Sequence, residues 1–124
     1  MADYVELYFG SPENTDTTIA TLGELLRVHF EPSVAWYADF EAHRWRRHYD
    51  LTIGVEEDQD DVCCDMPFTQ MPFILILRHE YHRVSRVNAA LKRYGQRLLH
   101  DLHERGYGPL RLIYATTQIL AKAG

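Results

Sequence analysis

The sequence holds two cysteines, and they are adjacent, Cys63 and Cys64. Neighbouring cysteines close a disulfide only in a strained ring, which argues against a disulfide framework. Serine is scarce too: Ser11, Ser33 and Ser85 read as a turn, a strand start and a helix cap. There is no G-x-S-x-G elbow, no P-loop and no G-x-G-x-x-G, so no familiar nucleophile or phosphate cradle is signalled. No apolar run approaches the ~20 residues of a membrane span. The longest uninterrupted one is Phe73 to Leu77. The opening MADYVELYFG lacks the basic and long apolar regions of a secretory signal. Together with the cysteine usage, this gives the cytoplasm as the expected compartment.

What is present fits one globular domain over residues 1–124. Apolar residues make up 46% and charged residues 25%, ordinary values for a chain that builds a packed core. The formal charge of −5 repels nucleic acid and anionic membranes, so neither is an expected partner.

Tyr4 to Phe9 alternates, with Val5, Leu7 and Phe9 on one side, and reads as a half-buried strand. Asn14 to Asp16 offers N-caps for a helix from about Thr17 to His29, stopped by Pro32. Aromatic-rich Ser33 to Phe40 reads as a strand and Glu41 to Arg44 as a hairpin turn. A long alternating strand follows, with Trp45, Tyr49, Leu51, Ile53 and Val55 on one parity and Arg46, His48, Asp50 and Thr52 on the other. Glu56 to Pro67 reads as a loop. Met71 to Leu77, apolar on both parities, reads as a central strand.

Val87, Leu91, Tyr94, Leu98, Leu102 and Arg105 then step at helical spacing behind Ser85, up to Gly106. Leu110 to Ala115 is the last expected strand, and Thr117 to Ala123 reads as a short terminal helix. The expected fold is α+β: a mainly antiparallel sheet of about five strands with two helices on one face, in the order β-α-β-β-β-α-β. That element order resembles a ferredoxin-like sandwich carrying an extra hairpin strand.

The strongest charge feature is acidic. Glu56, Glu57, Asp58, Asp60, Asp61 and Asp65 carry −6, leaving +1 for the rest of the chain. Such a run serves either as a solvated loop or as a surface that steers a basic partner. It lacks the central glycine and twelfth-position Glu of an EF-hand calcium loop.

The histidines form no regular ligand set. In His79-Glu80-Tyr81-His82 the imidazoles are three apart, one short of the zincin spacing. His100 and His103 are also three apart, and no spacing links either pair to Cys63 and Cys64. No metal or cofactor is therefore expected. Arg86, Arg93 and Arg97 fall within about 40° of one another on the long helix. With His79 and His82 they read either as snorkelling edge residues or as an anion site. A second basic group, Arg44, Arg46 and Arg47 with His43 and His48, has Trp45 and Tyr49 between, but alternation sends Trp45 and Arg46 to opposite faces.

The leading functional expectation is a small non-enzymatic binding protein. Its most concrete form is an inhibitor or immunity protein docking the acidic loop on a basic partner such as a toxin or nuclease. The alternative is an enzyme or small-ligand carrier with an anionic substrate between sheet and helices. A subunit that dimerises through its sheet edge is a third reading.

Overall fold

The computed structural model describes residues 4–54, 66–79, 85–114 and 118–124, with the backbone alone for 85–88. Its frame is a seven-stranded sheet, antiparallel at every pairing. The strands are β1 (Tyr4–Phe9), β2 (Glu31–Pro32), β3 (Phe40–Arg44), β4 (Arg47–Ile53), β5 (Phe73–His79), β6 (Leu110–Tyr114) and β7 (Gln118–Ala123). Helix α1 (Thr15–Leu26) follows β1, and α2 (Ser85–Glu104) follows β5. The strands lie in the order β2-β3-β4-β5-β1-β6-β7.

Side-chain alternation divides the sheet into two faces. Val5, Leu7, Phe9, Tyr49, Leu51, Phe73, Leu75, Leu77, Leu110 and Leu112 share one buried cluster with Leu22 and Leu26 of α1 and Leu91, Leu98, Leu99 and Leu102 of α2. Each such leucine contributes roughly 1.5–3 kcal/mol when buried, so the leucine stripe of α2 is what holds that helix down. The other face carries Met66, Met71, Ile113 and Ile119 against Tyr8 and Phe68 toward the β6–β7 edge, and polar groups elsewhere.

Helix α1 starts where the Asn14 side chain accepts from the Thr17 N–H at 2.8 Å. It ends earlier than His29 because Arg27 adopts the left-handed conformation (φ 57°), with the Val28 N–H closing on the Gly23 carbonyl at 2.9 Å. Pro32 therefore does not stop the helix. In α2, Gly95 lets the helix approach the sheet: a Cβ there would lie 2.8 Å from Leu112 Cδ1.

Three further expectations need correction. Among the described residues the sheet has seven strands rather than about five, because 33–39 is a loop between the two-residue β2 and β3, and Gln118–Ala123 adds β7. Glu41 to Arg44 lies inside β3, and the turn is Trp45–Arg46, with Trp45 at φ 58°. Gln118–Ala123 is a strand and not a helix: it pairs with β6 through an irregularity at Leu112/Ile113, and Arg111 Nη1 donates to the Ala123 and Gly124 carbonyls at 3.4 and 3.3 Å. Tertiary pairing overrides the helix preference of its alanines. No helix of the described residues is long and apolar enough to cross a membrane.

Candidate functional site on the sheet face without helices

The hairpin register assembles this site. Glu41 of β3 faces Asp50 of β4, and His43 faces His48. On the other side of β4, His48 faces Arg78 and Asp50 faces Ile76 of β5. Strand β1 adds Tyr4 opposite Arg78 and Glu6 opposite Ile76. Two ladder rows on one face thus hold three carboxylates, two imidazoles and a guanidinium, all set by alternation.

Asp50 is the centre. It is 1% exposed, although its parity points away from the helices. Arg78 Nε donates to its Oδ2 at 2.8 Å, and Arg78 Nη2 approaches the same oxygen at 2.8 Å. Burying a carboxylate is costly without such a charged partner. Its other oxygen, Oδ1, has no hydrogen-bond partner among the described residues. His48 Nε2 stands 3.3 Å from it, within ion-pair range but not aligned as a hydrogen bond.

Glu6 is also buried, and loss of hydration raises its carboxyl pKa from the ordinary 4.5. A hydrogen bond from the Tyr8 hydroxyl at 3.2 Å partly opposes that rise. Tyr4, Glu6, Tyr37, Asp50, Ile76 and Arg78 line an open cavity of about 330 Å³.

Tyr37 belongs to the 33–39 loop, which leaves three large apolar side chains in solvent. Val34 is 98%, Trp36 95% and Tyr37 44% exposed. The Trp36 and Tyr37 rings meet edge to face, with centroids 5.7 Å apart. The loop is fastened to β4: the Thr52 hydroxyl donates to the Tyr37 carbonyl at 3.0 Å, the Ile53 N–H to Asp39 Oδ2 at 2.7 Å, and the Asp39 N–H to the Leu51 carbonyl at 2.9 Å. Its aromatics are held out on a tied backbone.

A second polar place is the tip of the β3–β4 hairpin. Arg44, Trp45, Arg46, Arg47 and His79 line a cavity of about 370 Å³ there. Trp45 is 84% exposed. The Arg47 guanidinium lies over the Tyr94 ring at 4.1 Å, which joins the tip to α2. The Tyr94 hydroxyl is 3.5 Å from that of Tyr49, whose phenol pKa is pushed up by burial first and by Tyr94 second.

The residues singled out from sequence are distributed as follows. Glu56, Glu57, Asp58, Asp60, Asp61 and Asp65 lie outside the described residues, as do His82, Cys63 and Cys64. Arg86 is described in its backbone alone. Arg93 and Arg97 are exposed on α2, and neither lines the cavity that takes His79. Sequence reasoning missed Asp50, Arg78, Glu6 and Glu41. The available signal was an acidic residue, Asp50, between Tyr49 and Leu51 in an alternating strand. The chain matches no protein-family model, no curated protein and no solved structure.

Proposed function

We propose that this chain is a small binding protein of the inhibitor or immunity type, which docks on a basic protein such as a toxin or nuclease. The observation that carries the reading is the tied 33–39 loop, which holds Val34, Trp36 and Tyr37 in solvent. Tryptophan and tyrosine dominate interface hot spots, and a pre-shaped loop loses little entropy on docking. Burying Trp36 in a partner's pocket would gain roughly 2–3 kcal/mol.

Charge supplies the choice of partner. The loop is bonded to the last residues of β4, and from Gly54 the chain enters the stretch holding Glu56, Glu57, Asp58, Asp60, Asp61 and Asp65. A basic surface is the electrostatic complement of six carboxylates in one short stretch. The frame is read as a ferredoxin-like sandwich with additions, because β4-β5-β1-β6 are adjacent and a helix follows each of β1 and β5. The test is capture from native lysate with wild type and with Glu57, Asp58, Asp60 and Asp61 all changed to Lys. A basic protein bound by wild type and lost by the folded variant supports the reading; the same proteins bound by both would exclude it.

A second reading, a carrier of small anions, is favoured by one observation: three arginines and His79 line the hairpin-tip cavity beside exposed Trp45. Phosphate or sulfate should then raise the melting temperature. No shift across an anion panel would remove this reading.

A further inference from the structure

We infer that Glu41, His48 and Asp50 form a binding site for a divalent cation of zinc-like character. One donor atom from each lies within 4.8 Å of the others, in a set of two carboxylate oxygens and one imidazole nitrogen. The hairpin fixes this arrangement, since Glu41 and Asp50 are cross-strand partners and His48 is two residues from Asp50 on the same face.

The independent observation is Asp50 itself. A buried carboxylate oxygen without a hydrogen bond is costly, and Asp50 Oδ1 is in that state. It lies 3.3 Å from His48 Nε2. Two ligands of a tetrahedral zinc with bonds of ~2.0 Å sit roughly 3.3 Å apart, so this pair already has the spacing of a coordination edge. Glu41 is half-buried, and one of its carboxylate oxygens lies within 4.8 Å of the donor atoms of both His48 and Asp50, as a third corner requires. Three protein ligands leave the fourth position to water or to an incoming group.

The surroundings fit as well. Metal-bound carboxylates are commonly held by an outer hydrogen bond. Arg78 holds Asp50 through Oδ2 and leaves Oδ1 to the cation. Ser33 Oγ donates to Glu41 Oε2 at 3.0 Å. A direct His48–Asp50 ion pair is the competing account; the two atoms stand 3.3 Å apart without the alignment of a hydrogen bond.

The experiment titrates the purified full chain with zinc chloride by calorimetry, and with cobalt(II) by visible absorption. Wild type is expected to bind one ion and to give the d–d bands of a low-coordinate cobalt site. His48→Gln and Glu41→Gln, each checked for fold by circular dichroism, should weaken zinc by at least about tenfold, the lower bound known for loss of an outer-sphere partner. His100→Ala breaks the exposed His100–Glu104 pair at 3.1 Å and should leave affinity unchanged. Absence of binding to wild type, or affinity equal to wild type in His48→Gln or Glu41→Gln, would overturn the site. So would binding lost in His100→Ala, which would place the ion on α2.

Discussion

Arg78 holds Asp50 through two nitrogens, Nε and Nη2, each 2.8 Å from the same carboxylate oxygen, across adjacent strands of the sheet. Asp50 is nearly inaccessible while the Arg78 side chain is 38% exposed, so the carboxylate depends on the arginine more than the reverse. Arg78→Met should cost about 2–3 kcal/mol, because it strands a buried charge; partial exposure of the arginine keeps the cost below that of a fully buried pair. Asp50→Asn in the same background should recover part of the loss. Urea unfolding of the two single variants and the double variant measures this, and strict additivity would contradict it.

Glu6 gives a pH signature of known sign. Burial raises its pKa above 4.5, so its neutral form is favoured in the folded state. Its contribution to stability is therefore full below 4.5 and lost as pH rises through the folded value. Glu6→Gln removes that dependence. Thermal melts should show the variant gaining on wild type between pH 4 and pH 7; a pH-independent gap would contradict the account.

Gly95 is a packing residue of α2. Alanine gains roughly 1 kcal/mol of helix propensity over glycine in a helix interior. Its methyl would meet Leu112 Cδ1 at 2.8 Å and Cδ2 at 3.1 Å, and Leu112 is fully buried. Overpacking of this kind costs ~1–3 kcal/mol. Gly95→Ala is expected to be destabilising on balance, by chemical denaturation, and Gly95→Val more so.

Trp45 sits in the left-handed region with its side chain almost wholly in solvent. That conformation costs roughly 1 kcal/mol or more for an ordinary residue and less for asparagine. Trp45→Asn should raise stability by up to about 1 kcal/mol while emptying one wall of the hairpin-tip cavity. A fall in melting temperature would show that the indole is packed and not strained.

The sequence disclosed the elements whose periodicity and burial agree. Strand β1, the Tyr49–Leu51 core of β4, the centre of β5 and the leucine stripe of α2 follow from alternation or helical spacing. The aromatics at 36–37 looked like strand residues, yet they are exposed in a loop bonded to β4. Placing the turn at Glu41 to Arg44 removed Glu41 from the sheet. Only the turn at Trp45–Arg46 sets Glu41 against Asp50, nine positions away, and His43 against His48. The candidate site is a product of register, and a shift of a few residues erases it. Strand β7 was hidden for a related reason: its pairing with β6 decides its conformation more than its alanines do.

Trp36, 95% exposed, is the proposed anchor of the docking loop. The measurement is calorimetric titration of the captured basic partner with wild type and with Trp36→Ala, at low and at physiological salt. A hot-spot tryptophan costs about 2 kcal/mol or more on truncation, so affinity should fall by roughly thirtyfold. If charge selects a basic partner, as proposed, wild-type affinity should also weaken as salt rises. Equal dissociation constants for wild type and Trp36→Ala would contradict the claim that the 33–39 loop is the docking surface.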